Sequence, residues 1–215
     1  MNRDNISDIR RDYGLNSLSK ATVDCNPMVQ FQEWFNQALK ADFHDPNAMV
    51  VSTVSKDSFP SSRIVLLKGI TDSGFIFYTN YQSQKGKELS ANNAVSLLFW
   101  WDKLERQVRI EGTVTKISRE DSEQYFLSRP RLSQIGAHAS NQSQIIDNSQ
   151  ELKEQLAKVE EKFRDKEVTL PTDWGGYLVT PTSIEFWQGQ PSRLHDRLKY
   201  SKNEQGEWNI DRLSP

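Results

Sequence analysis

Cys25 is the single cysteine in 215 residues, which excludes an intrachain disulfide framework and any zinc cluster built on cysteine. No apolar run approaches the ~20 residues of a membrane-spanning helix, and the mean hydropathy of −0.71 points to a soluble protein without a membrane partner. Neither charge dominates: 27 Lys+Arg face 29 Asp+Glu, for a formal net charge of −2. That balance argues against nucleic-acid binding through bulk positive charge and leaves local basic pockets open. The start, MNRDNISDIRRDYG, lacks the apolar segment of a secretory signal, so a cytoplasmic protein is expected. There is no Walker A sequence, no G-x-G-x-x-G, no internal repeat and no low-complexity stretch.

What the chain does have is length enough for one domain at about 150 residues per domain. It also has six tryptophans, a high count. Residues 1–25 are polar and weakly patterned and read as a flexible arm; residues 26–215 read as a single domain. Pro27 opens a helix in which Phe31, Trp34, Phe35, Ala38 and Leu39 form one apolar stripe. From Ala48 the period changes to that of strands: AMVVSTVS, RIVLLKGI and GFIFYTN, then AVSLLFWW and RQVRIEGTVTKI, at distances that favour hairpins. KGKELSANN reads as a short helix, and a helical block covers roughly 118–166, with Ser118 as its cap and Pro130 as a break. Strands return in GGYLVTPTSIEFWQ, RLHDRLKYS and EWNIDRL. The expected class is mainly β with helices: an antiparallel barrel or tightly curled sheet decorated by α-helices.

Three sets of residues could carry chemistry. Arg63 and Lys68 differ by five positions and point to opposite faces of an ideal strand. They read either as two solvated cations or as donors to one anion on each side. Tyr78, Thr79, Ser83, Lys85 and Lys87, around a turn and a helix start, form a phosphate-ready arrangement. Tyr125, Arg129 and Ser133 recur at four-residue steps and share a face if the segments on either side of Pro130 meet suitably. Arg193, His195 and Arg197 alternate along a predicted strand and face one way, which needs an anionic or aromatic ligand as compensation. Trp187 could stack on a planar ring there, and a partly buried Gln107 would suit the carbonyl and imide edge of a flavin. His44 and His138 read as solvated histidines, and no metal site is expected.

RIVLLK, FYTN, ERQVRIEG, SRPRLSQIGAHAS, IEFWQG, RLHDR and IDRLSP, in this order, closely resemble the pyridoxine (pyridoxamine) 5′-phosphate oxidase family, from about Arg10 to Pro215. The resemblance implies an FMN-binding split β-barrel, antiparallel and Greek-key-like, working as a homodimer with FMN at the subunit interface. It implies oxidation of pyridoxine or pyridoxamine 5′-phosphate to pyridoxal 5′-phosphate, with dioxygen as acceptor and hydrogen peroxide as product. Arg63, Ile64, Val65, Leu66, Leu67 and Lys68 would line the flavin. Tyr78, Thr79, Gln84, Lys85, Gln107, Gln142, Ser143, Trp187 and Arg197 match further FMN positions. Lys68, Tyr125, Arg129 and Ser133 match the substrate-phosphate pocket. Arg193, Leu194 and His195 match the wall over the substrate ring, with Arg193 and His195 as the catalytic pair. Arg10, Arg11, Asp12 and Tyr13 resemble a segment that closes over bound substrate. Two departures stand out: Gln84 where the family commonly has Arg, and His138 where a Trp is usual.

In such an enzyme the cofactor carries the hard chemistry and the protein binds and orients. The rival expectations are another flavin reductase on the same barrel, which would not need Tyr125, Arg129 and Ser133, and a non-catalytic FMN or pyridoxal-phosphate binding protein.

Overall fold

The computed structural model describes residues 11–215, so Arg10 lies outside the described residues. Five helices and nine strands occur among these residues. The strands are β1 (Ala48–Val54), β2 (Pro60–Leu66), β3 (Gly69–Thr71), β4 (Gly74–Asn80), β5 (Ala94–Trp101), β6 (Arg106–Lys116), β7 (Trp174–Gln188), β8 (Asp196–Lys202) and β9 (Trp208–Arg212). Their order in the sheet is β2-β1-β5-β6-β7-β4-β3, with β8 on β7 and β9 on β8. The β3–β4, β4–β7, β7–β8 and β8–β9 pairs are antiparallel. The helices are α1 (Pro27–Lys40), α2 (Gln84–Ala91), α3 (Arg119–Ser128), α4 (Arg131–Ala139) and α5 (Ser149–Lys162). The described residues form two compact units, one of 11–49, 97–111 and 182–215, the other of 50–96 and 112–181.

In the first unit, Asn26 caps α1 by accepting from Met28 N–H, ahead of the proline at the first helical position. The apolar stripe of α1 then does what its spacing demands: Phe31 meets Phe99 edge-on at 5.1 Å and Trp34 meets Phe186 at 5.2 Å. Residues 11–18 are tied down, in contrast to the expected flexible arm. Glu105 accepts from the N–H groups of Gly14 and Leu15 at 2.8 and 3.1 Å, and Leu18, itself buried, donates its N–H to Asp196 at 3.0 Å. These anchors are single polar contacts across some 90 to 180 positions, so they leave no period in the sequence.

In the second unit, β4 pairs with the first half of β7, setting Tyr78 opposite Gly176 and Asn80 opposite Trp174. Ser83 caps α2 by accepting from Gly86 N–H at 3.3 Å. Gly86 is required there, because a Cβ would stand 2.2 Å from the Tyr81 carbonyl oxygen. Ser118 caps α3 as expected, accepting from Asp121 N–H at 2.9 Å. Pro130 separates α3 from α4 and serves as the N-cap position of α4. Phe126, Ile135, Phe163, Val168, Leu170 and Trp174 form the core beneath these helices.

Candidate active site

A cavity of about 470 Å³ in the second unit gathers residues from six strands and helices and the turns beside them. Ile64, Val65 and Leu66 come from β2, Lys68 from the turn after it, and Tyr78 and Thr79 from β4. Lys85 comes from α2, Tyr125 from α3, Arg129 from the α3–α4 junction, Ser133 from α4, Gln142 from the loop beyond, and Trp174 from β7. Tyr125, Arg129 and Ser133 therefore share one wall although Pro130 divides their helix. Leu67, by contrast, is buried and lines no part of it.

Arg129 is the focus of this wall. Its NH1 is buried without a hydrogen-bond partner, and its guanidinium lies 4.7 Å over the Trp174 ring. Burial lowers its pKa, partly offset by Tyr125. A buried donor left unsatisfied costs roughly 1–3 kcal/mol, so an arginine aimed into a cavity in this way suits an anionic ligand.

An adjoining cleft of about 370 Å³ is lined by Ser61, Ser62, Arg63, Ile64, Gln84, Lys85, Gln142 and Ser143. Lys85 is buried and its Nζ donates to Thr79 Oγ1 and Gln142 Oε1, both at 3.1 Å. Desolvation, and then the charge of Arg63, lowers its pKa. Arg63 donates to Thr53 Oγ1 at 2.5 Å and to Ser61 Oγ at 2.7 Å, and pairs with Glu88 at 3.4 Å. Glu88 accepts from Thr53, from Ser61 at 2.7 Å and from Gln84 Nε2 at 2.9 Å. Two cations against one carboxylate leave a positive surplus, so the donor set fits the phosphate of a flavin mononucleotide. Sequence reasoning missed Glu88 and Trp174, whose roles depend on partners 25 and 45 positions away.

The first unit holds a second group. A cavity of about 540 Å³ is lined by Arg11, Asp12, Tyr13, Gln190, Ser192, Arg193 and His195. The strand expected to carry Arg193, His195 and Arg197 begins only at Asp196. Pro191–Arg193 form a single 3₁₀ turn, with Ser192 and Arg193 at φ of 55° and 62°. Proline cannot donate in a ladder, and two consecutive left-handed residues break the alternation. Arg197 accordingly does not line this cavity. It donates Nε to Glu185 at 2.8 Å and NH1 to the Ser214 carbonyl at 2.8 Å. Leu194 is exposed and does not line the cavity. The Trp187 ring lies 4.6 Å from His195 and 5.8 Å from Tyr13, and Gln107 is half-buried on β6.

His44 is exposed, as expected, but His138 is not a solvated loop residue. It sits on α4, its ring 5.0 Å from Phe163, with Nε2 2.6 Å from the Thr169 carbonyl oxygen. Among the described residues no group of three metal-ligating side chains occurs, and no helix is long and apolar enough to cross a membrane.

Residues 35–163 match the family model described as pyridoxamine 5′-phosphate oxidase. Residues 174–215 match one described as the pyridoxine 5′-phosphate oxidase C-terminal dimerisation region. The pyridoxine/pyridoxamine 5′-phosphate oxidase of Acaryochloris marina is 54% identical over 210 residues, covering 98% of this chain and 95% of that one. Its namesake from Salinibacter ruber is 49% identical over 212 residues, covering 98% and 99%. Among solved structures, PhzG from Burkholderia lata 383, in complex with tetrahydrophenazine-1-carboxylic acid, superposes with a TM-score of 0.87 at 26% identity, covering 93% of this chain and 98% of its own. A pyridoxamine 5′-phosphate oxidase-related, FMN-binding protein from Nostoc punctiforme shares the fold, with a TM-score of 0.70 at 15% identity and coverage of 93% and 100%. Fold and relatives define a split-barrel oxidoreductase. More narrowly, the chain belongs to the pyridoxine/pyridoxamine 5′-phosphate oxidase family.

Proposed function

We propose that the protein oxidises pyridoxine 5′-phosphate or pyridoxamine 5′-phosphate to pyridoxal 5′-phosphate, using FMN, with dioxygen as acceptor and hydrogen peroxide as product. The observation that carries this reading is Arg129, whose buried NH1 has no partner, in one cavity with Tyr125, Ser133 and Lys68. Four donors of this kind suit a dianionic phosphomonoester, and a substrate without phosphate would not need them.

Arg63, Lys85, Gln142 and Ser143 would hold the FMN phosphate, with Gln107, Trp187 and Arg197 completing the flavin site in a homodimer. When bound, FMN would supply the two-electron acceptor for oxidation at the substrate's exocyclic carbon, with dioxygen as the terminal oxidant. The protein's share is position. A phosphate clamped far from the reacting carbon fixes the ring in a near-attack geometry, which in ideal cases is worth up to ~7–11 kcal/mol. His195 and Arg193 would steady the substrate's oxygen or amine, and the 11–13 segment would exclude water above it.

The test is peroxide release by the purified protein with pyridoxine 5′-phosphate and with unphosphorylated pyridoxine, alongside the identity of the released flavin. Peroxide from the phosphorylated substrate and released FMN are the expected results. A colourless protein that cannot be reconstituted with FMN would overturn the reading.

A further inference from the structure

Arg129 is held in an unusual way for a half-buried cation. Among the described residues no carboxylate forms an ion pair with it, and Tyr125 only partly offsets the effect of burial on its charge. What it touches instead is aromatic: its guanidinium carbon lies 4.7 Å from the centre of the Trp174 ring and 5.7 Å from that of Phe126.

Trp174 is fixed on every side. It is 7% exposed, its carbonyl accepts from Arg119 at 2.9 Å, and its Cα stands opposite Asn80 of β4. Its ring stacks on Tyr78 at 5.4 Å and 12° and is nearly parallel to Tyr125, at 6.2 Å and 5°. Tyr78 and Tyr125 stack on each other at 3.8 Å. One rigid ladder therefore sets the place of both Tyr125 and Arg129.

We propose that Trp174 is a positioning residue for the reaction: its indole face holds the Arg129 guanidinium where a carboxylate would ordinarily do so, leaving that cation's charge and N–H donors to a phosphomonoester. This rests on the reading of the cavity given above. A carboxylate would fix the arginine equally well, but it would occupy the donors and repel the incoming dianion. The π face attracts the cation through its quadrupole and competes for none of the N–H groups. Phe126 presents a second, weaker face at the same cation.

The experiment compares Trp174→Phe and Trp174→Leu with wild type as flavin-loaded protein. KM for pyridoxine 5′-phosphate is expected to rise about threefold in the Phe variant and about ten- to thirtyfold in the Leu variant, following ring quadrupole strength, with kcat within about twofold. The ratio of kcat/KM for phosphorylated over unphosphorylated pyridoxine falls by the same factors. Calorimetric titration with inorganic phosphate, which needs no turnover, weakens in the same order. In an Arg129→Ala background the Trp174→Phe change has no further effect on phosphate binding, because the two residues act as one unit. Unchanged phosphate affinity in Trp174→Leu, or equal losses with both substrates, overturns the proposal. Should the Leu variant fail to fold, Trp174→Phe, which keeps the stack, decides alone. A wild type that binds phosphate but does not oxidise pyridoxine 5′-phosphate overturns the function proposed above, while the phosphate titrations still decide the role of Trp174.

Discussion

The backbone N–H of Gln190 donates to Nδ1 of His195 at 3.1 Å, which selects the neutral ring with its proton on Nε2. Protonating Nδ1 breaks that bond. Burial, and then the charge of Arg193, lowers the His195 pKa below its ordinary 6.5. A histidine lowered in the folded state takes up protons on unfolding, so it costs stability only as pH falls through the window beneath 6.5. The acid limb of kcat/KM against pH is therefore expected below 6.5. Arg193→Met should move that limb upward while lowering the plateau. A limb that stays in place would show that the Arg193 charge does not reach the ring.

Glu88 gives the opposite sign. Burial would raise its carboxyl, but bonds from Thr53, Ser61 and Gln84, with the charge of Arg63, outweigh burial and hold it below 4.5. Its stabilisation is present above 4.5 and lost as pH falls below it. Glu88→Gln should cost ~1–3 kcal/mol at neutral pH, the range for a buried charged hydrogen-bond acceptor, and much less in acid. Urea unfolding at several pH values checks this, and parallel losses at all of them would remove the charge from the explanation.

Gln84 lines the cleft and donates its side-chain amide to Glu88 at 2.9 Å. An arginine at this position would find the same carboxylate one helical turn away, so part of its charge would be used within α2. Gln84→Arg is expected to tighten FMN binding about twofold or less, with a slightly steeper salt dependence. Titrating apoprotein with FMN at low and high salt measures it. A tenfold gain would mean that the guanidinium reaches the cofactor phosphate.

Gly189 is the floor on which Tyr13 rests: a Cβ there would lie 2.8 Å from the Tyr13 ring. Gly189→Ala should displace Tyr13 from its edge contact with His195, at 5.7 Å, and so raise KM, as Tyr13→Ala should. Flavin content should stay constant in both. A Gly189→Ala enzyme with wild-type KM would separate Tyr13 from the substrate.

The strands and α1 were legible because their periods are local, and Tyr125, Arg129 and Ser133 because four-residue spacing survives the break at Pro130. RLHDR misled for a physical reason. Its alternation is genuine as a pattern, but Pro191 and the left-handed Ser192 and Arg193 put a turn where the pattern implies a strand. The sequence does contain the warning, in the GQPS that precedes it. Trp174 and Glu88 carried no such sign, since their partners are brought to them by β4–β7 pairing and by the approach of α2 to residues 53–63. Residues 11–18 looked free because their anchors are backbone N–H groups, which every residue has.

The unpartnered NH1 of Arg129 also makes the ligand part of the fold's own thermodynamics. Any dianion that satisfies it binds the native chain and not the unfolded one, and a ligand at a hundred times its Kd adds about 2.7 kcal/mol of stability. Thermal midpoints should then climb with phosphate concentration, so that measurements in phosphate and in amine buffers describe two differently stabilised proteins. In a cell, the supply of such a dianion would then bear on the lifetime of the protein against proteolysis.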